Sequence, residues 1–313
     1  MLGKSAGGLF WMFRYLERSE NLARLLEAGF RIALTRSSAA TSEWQSVIAT
    51  AGVTEGFMAR HSEYNAPNVV DFLLRDRENT SSVRYVIEQA RTNARLVRTA
   101  LTREVWEATN ECWMVLDQVL QRPIRERDLP SVLATIKQQS TLVRGTLVGT
   151  MLRNDIYNFA RLGTFIERTD NTARILDVKY YVLLPSLSHI GSSLDNVQWE
   201  TILRSVSANR SYRWLNGEDI NPTSIADFLI LDCSMPRSIA HCMEEIVDNL
   251  DQLSERYGER SKCAEQAKDM FSKLDRRPID SILASGLHEF LKGFIQDTGQ
   301  LSGQIEQDYR FYS

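Results

Sequence analysis

Glu17-Arg18-Ser19-Glu20-Asn21-Leu22-Ala23-Arg24 returns 150 residues later as Glu167-Arg168-Thr169-Asp170-Asn171-Thr172-Ala173-Arg174. Five of the eight positions are identical and two more are conservative. Such self-similarity restricts a chain to folds that set two similar units side by side. Two further anchors follow in the same order. Trp44-Gln45-Ser46-Val47-Ile48 is answered by Trp199-Glu200-Thr201-Ile202-Leu203 at an offset of 155. Asp71-Phe72-Leu73-Leu74 is answered by Asp227-Phe228-Leu229-Ile230 at 156, with Asn65 and Asn221 keeping that spacing. The drift assigns the extra residues to a loop after Pro185, where insertion costs least. Beyond these anchors the halves diverge.

Apolar residues recur at three- and four-residue spacing, and alternating runs are nearly absent. The expected fold is therefore all-α: a helical bundle of two pseudo-symmetric repeated halves, 1–150 and 151–313, within one domain spanning 1–313. Each half is built around a long Glu-Arg helix. Leu9, Phe13, Leu16, Ala23, Leu26 and Phe30 line the first, with a loop at Ser37 and Ser38 and a capped helix from Ser42. Val69 to Arg75 reads as a short helix after a proline turn at Ala66 to Asn68. Ser81 to Gln121 reads as one long segment bent near Leu101 and Thr102. After a connector at Arg122 to Pro130, with Asp128 as cap and Pro130 in the first turn, a helix runs to Thr150. Asp155 to Leu184 is the second long helix, and Ser186 to Asn196 is a loop. Helices then follow near Val197–Ala208, Ser224–Ile230, Pro236–Tyr257, Arg260–Leu274 and Ile279–Tyr309.

The charge balance, 37 Lys and Arg against 40 Asp and Glu, gives a net −3. That supplies no field for nucleic acid or anionic lipid, so neither is an expected partner. The Leu9 to Phe13 apolar run soon meets Arg14, Glu17 and Arg18, which is no signal peptide, and no later stretch approaches a membrane span. A cytoplasmic setting is expected. Cys112, Cys233, Cys242 and Cys263 form no CxxC pair and read as buried free thiols. His61, His189, His241 and His288 are scattered, so no metal and no cofactor is expected.

On a helix Glu17, Asn21 and Arg24 share one face, Arg14 lies one turn before Glu17 and can pair with it, and Arg18 points to another side. The same relations hold for Glu167, Asn171 and Arg174, with Arg168 beside them. One reading is structural, with Glu17–Arg174 and Glu167–Arg24 as buried ion pairs that fix register across a pseudo-twofold contact. The other is functional, with guanidinium groups of both halves converging on an anionic ligand. A Glu held against Arg has its charged form favoured and makes a poor general base. No nucleophile elbow, phosphate-binding loop or zinc signature is present, and no catalytic residue is assigned. Gly145 and Gly149 read as a close helix contact. A second cluster, Arg91, Asn93, Arg95 and Arg98, runs through Arg103 and Glu104 into Trp106 and Trp113, with Arg91, Arg95 and Arg98 on one helical face. It reads either as a solvated face whose Arg stems cover apolar surface or as a docking patch.

The stretches Leu9-Phe10-Trp11-Met12-Phe13-Arg14-Tyr15-Leu16-Glu17-Arg18 with Asn21 to Arg24, Asn93 to Arg98, and Leu162 to Arg174 resemble the alpha-E family, an α-helical domain with a Glu-Arg motif. Ser19-Glu20 stands where that family suggests Ala-Glu, leaving the Glu, Arg and Asn positions intact. The resemblance implies association with an ATP-grasp type amide-bond ligase and often a transglutaminase-like peptidase, in bacterial systems that make or modify peptides. Three functions are then open: an accessory protein that docks to the ligase, an enzyme acting on an aminoacyl or carboxylate substrate through Glu17, Arg24, Glu167 and Arg174, or a freestanding small-molecule binder.

Overall fold

The computed structural model describes residues 3–35, 40–182 and 193–312, and among them every regular element is helical. The first long helix, α1, spans Gly3–Thr35, and α2 spans Ala40–Thr50, beginning before Ser42. A short helix that periodicity did not suggest, α3, spans Thr54–Met58. In α4, Ala66–Leu74, Pro67 lies in the first turn and Asn65 caps the helix by accepting from the Asn68 amide. The proline therefore opens this helix instead of preceding it, because its missing N–H falls where no intrahelical partner exists.

The segment expected as one bent helix is two. α5 spans Val83–Leu96, a short 3-10 turn covers Arg98–Ala100, and α6 spans Arg103–Val119. Ser82 and Thr102 cap α5 and α6, and such hydroxyls compete locally for the orphan amides of a helix start. α7 spans Leu129–Thr150 with Pro130 in its first turn. Asp128 makes no side-chain capping bond there, since its carboxylate is taken by Arg125.

α8, Asp155–Val182, is the second long helix. α9 spans Ser193–Ser205, so the end of the expected loop is helical; Ser37, Ser38 and residues 186–192 of the expected loops lie outside the described residues. α10, Asn209–Asn216, is a further helix missing from the periodicity. α11 spans Pro222–Ile230, capped by Asn221, and α12 spans Ile239–Tyr257, capped by Ser238. α13 spans Lys262–Asp275. The last expected helix is broken into α14, Ile279–Ser285, and α15, Leu287–Asp308, at Gly286, whose φ of 95° no helical residue adopts.

Two hydrophobic cores form. One gathers Met12, Phe13, Leu16, Leu26, Phe57, Phe72 and residues of α5 to α7; the other gathers Phe159, Phe165, Tyr212, Phe228 and residues of α9 to α15. α1 feeds both, since Leu9 and Phe10 enter the second core and Met12 and Phe13 the first. α1 and α8 pack directly on each other, which places the two Glu-Arg segments face to face. Gly145 and Gly149 do not mark a close contact: both are exposed on α7, with open space where a side chain would extend. The four thiols are free; Cys112, Cys242 and Cys263 are buried, but Cys233 is exposed, contrary to the expectation of four buried thiols.

Candidate functional site

The two motifs exchange partners. Arg168 grips Glu17 through two bonds, Nε to Oε1 at 2.9 Å and Nη2 to Oε2 at 3.1 Å. Reciprocally Arg18 grips Glu167, Nε to Oε1 at 2.5 Å and Nη2 to Oε2 at 2.9 Å. Such fork-on-carboxylate geometry fixes direction as well as distance. Arg18 thus does not point away from the shared region, and Arg14 donates to Glu167 at 3.1 Å instead of to Glu17 on its own helix. The expected Glu17–Arg174 and Glu167–Arg24 pairs are absent. Arg24 turns back one helical turn to Glu20, and Arg174 to Asp170.

Two partners that the motif did not reveal complete the site. Arg144 on α7 donates to Glu17 at 3.1 Å and also pairs with Glu20. Arg237, in the loop before α12, sends Nη1 to Glu17 at 2.9 Å and to Asn21 Oδ1 at 3.3 Å, and Nη2 to Glu20 at 2.6 Å. The Arg237 carbonyl in turn accepts from Thr172 at 2.8 Å, which ties that loop to α8. Glu20 and Asp170 were legible as an acidic pair at matching motif positions; Arg144 and Arg237 fall outside the repeated octapeptide and carried no such signal.

Glu17 and Glu20 are wholly buried, and Glu167 nearly so. Burial alone drives a carboxyl up, but Arg168, Arg237 and Arg144 outweigh it and hold Glu17 well below the usual carboxylate range. Glu167 is likewise buried yet held at about 2 by Arg18 and Arg14. Burial also works against the Arg168 charge, and Glu17 overrides it and raises that guanidinium above its ordinary value. Both motif glutamates are therefore anionic acceptors whose oxygens are occupied. That is the chemistry of a register lock, with neither a free base nor a nucleophile.

Beside the lock lies a cavity of about 210 Å³ between α1, the end of α2 and α8, lined among others by Arg18, Asn21, Gly52, Ser81, Asp170, Asn171 and Arg174. The amide nitrogens of Asn21 and Asn171 are buried and unpartnered. Every motif residue singled out in the sequence lies in the lock or on this cavity. The second cluster is elsewhere. Arg91 bonds Asn110 and stacks 3.9 Å from the Trp113 ring centre, Arg98 lies 5.3 Å from that of Trp106, and Asn93 bonds the Gln89 carbonyl. Arg98 does not share a helical face with Arg91 and Arg95, because α5 ends at Leu96; Arg95, Leu96 and Arg98 are exposed. Among the described residues no group of His, Cys, Asp and Glu is arranged to hold a metal ion, and no helix is long and apolar enough to cross a membrane.

A family described as "a predicted alpha-helical domain with a conserved ER motif", Alpha-E, matches residues 1–310. The chain belongs to the Alpha-E family. An uncharacterized protein of Mycobacterium bovis is 25% identical over 307 residues, covering 89% of this chain and 33% of its own length. An uncharacterized protein of Mycobacterium tuberculosis is 24% identical over the same length. The chain thus spans about a third of the length of these relatives, at 33%. No solved structure matches the chain.

Proposed function

We propose that this Alpha-E chain is a non-catalytic helical partner of an ATP-grasp type amide-bond ligase, acting in the cytoplasm of a bacterium, with a transglutaminase-like peptidase as a second associate. The observation that carries the non-catalytic part is that arginines hold both Glu17 and Glu167 in the charged form, each gripped by the motif arginine of the other long helix. A carboxylate held charged in this way is a poor general base. The ligase itself comes from the family resemblance. In keeping with a partner role, the mycobacterial relatives carry the matching region as 33% of a longer chain, where it would work beside other polypeptide.

The chain is, on this reading, a duplicated unit. The matched octapeptides, the asparagine caps Asn65 and Asn221 and the serine caps Ser82 and Ser238 support duplication, the two cap pairs at the common offset of 156. Partner docking falls to the exposed Arg95, Leu96 and Arg98 beside Trp106, where Arg and an aromatic surface stand together. The test is co-purification of a tagged chain with an ATP-grasp type ligase from the same organism, at micromolar concentration. Retention by the wild type and loss in Arg95→Glu/Arg98→Glu supports the reading, and an empty pull-down sinks it. A Glu17→Gln chain that stays folded and ligase-bound while the system loses turnover would point to the enzyme alternative.

A further inference from the structure

The Glu17 cluster carries its own template for a guest. There the guanidinium of Arg237 sits among Glu17, Asn21 and Glu20, with Nη1 shared between the first two and Nη2 on the third. α8 repeats those three acceptors as Glu167, Asn171 and Asp170, and they line the cavity. Ser82 and Ser238 cap α5 and α12 in the same way, each accepting from the amide three residues on. The residue just before the cap is Arg237 in one case and Ser81 in the other. Ser81 lines the cavity and is too short to fill it.

We propose that this cavity receives a guanidinium group from outside the chain, seated against Glu167, Asp170 and Asn171 as Arg237 is seated against Glu17, Glu20 and Asn21.

The acceptors on the cavity side are more exposed than their counterparts. The Asp170 side chain is 24% exposed and that of Glu167 9%, against 0% for Glu17 and Glu20. Asn21 Oδ1 already accepts from Arg237, whereas no side-chain hydrogen bond joins Asn171 to another described residue, so its carbonyl oxygen is not committed to one. The space equals roughly seven waters, enough for a guanidinium and part of its stem. Arg18 and Arg174 share the cavity wall, but Arg168, Arg24 and Arg144 crowd Arg237 in the same manner. Burial, with Arg168 and Arg24 beside it, pulls Arg237 down to about 10 despite Glu17 and Glu20, and it stays charged at neutral pH. An ammonium starts from a lower pKa and is more strongly hydrated, so the same surroundings favour arginine-type groups over lysine-type ones. Nothing in this inference requires the ligase.

Titration calorimetry on the full chain tests it with L-arginine, L-citrulline, the peptide acetyl-Gly-Arg-Gly-amide and N-acetylglycine. Citrulline has the shape of arginine without its charge, so the expected preference for arginine, about tenfold or more, isolates the guanidinium. Tighter binding of the peptide than of arginine assigns the group to a polypeptide side chain, and the reverse assigns it to a free small molecule. Ser81→Arg is expected to abolish the heat of arginine binding and raise Tm by filling the space from within. If Ser81→Arg does not fold, Asp170→Asn takes its place and is expected to weaken arginine binding by about tenfold. Equal binding of citrulline, binding of N-acetylglycine in preference to arginine, no heat from arginine or the peptide, or an unchanged response in the folded variant overturns the proposal. A ligase pull-down that succeeds while these titrations fail would leave the partner reading standing and remove this one.

Discussion

Gly163 on α8 lies against the backbone carbonyl of Phe10 on α1, so closely that any side-chain carbon at 163 would overlap that oxygen. This approach brings the two Glu-Arg segments within reach of each other's carboxylates one turn further along. A backbone atom cannot swing aside as a rotamer can, so Gly163→Ala must push the helices apart. Its expected cost is about 3 kcal/mol, read by urea denaturation. Gly145→Ala and Gly149→Ala, on the open face of α7, are expected to do the opposite and stabilise by about 0.5 to 1 kcal/mol each, because alanine is the better helix former and meets nothing. A Gly163→Ala protein as stable as wild type would show that the α1–α8 contact carries no strain-sensitive packing.

Glu17 anchors three guanidiniums, those of Arg168, Arg237 and Arg144. Glu17→Gln keeps the shape but leaves this buried positive group answered by Glu20 alone. Removing one partner of a buried ionic network costs about 3 to 5 kcal/mol, far more than the network contributes against an apolar replacement. The expected result is a large drop in the urea midpoint. Part of it should return in Glu17→Gln/Arg237→Met, where one surplus charge is removed, and an unchanged midpoint in the single variant would mean that water reaches the cluster and screens it.

The helical fold and the meeting of the two motifs were legible because periodicity and self-similarity depend only on residue order. Which Arg meets which Glu was not. Faces were assigned on a single helix, where Glu17 and Arg18 point about 100° apart and so are given different neighbours. At a seam between two helices a glutamate and the long arginine next to it both reach across, so Arg18 meets Glu167 and Arg168 meets Glu17. Arg144 and Arg237 approach from α7 and from a loop, and their role comes from tertiary placement that no local pattern encodes. α10 escaped because Asn209–Asn216 is short and mostly polar, burying only Tyr212. The break at Gly286 escaped because the flanking residues keep a helical period while one φ of 95° ends the hydrogen-bond ladder.

Cys233 is the exposed thiol, and Cys112, Cys242 and Cys263 are buried, each pushed by burial up to about 12. Because the thiolate is the reactive form, access and ionisation both protect these three. An aromatic disulfide reagent is expected to titrate one thiol in the native protein and four in denaturant. Rapid modification of a second thiol without denaturant would reveal local opening of α6, α12 or α13.

The lock makes a definite demand on pH. Glu167 is held at about 2 in the folded chain against an ordinary 4.5, by Arg18 and Arg14 acting against burial. A depressed folded pKa means that the unfolded chain takes up the proton first, so the stabilisation is fully present above 4.5 and is lost as pH falls from there towards 2. The shift corresponds to about 3 kcal/mol for this one group. Glu17, lowered by Arg168, Arg237 and Arg144 despite its burial, adds in the same direction. Urea midpoints measured between neutral pH and pH 3 should therefore fall steeply below the ordinary carboxylate value. In Glu167→Gln the starting stability is lower and that part of the slope disappears, because the side chain has no proton to take up. A slope that is identical in wild type and Glu167→Gln would place the acid sensitivity in other carboxylates and remove Glu167 from the lock.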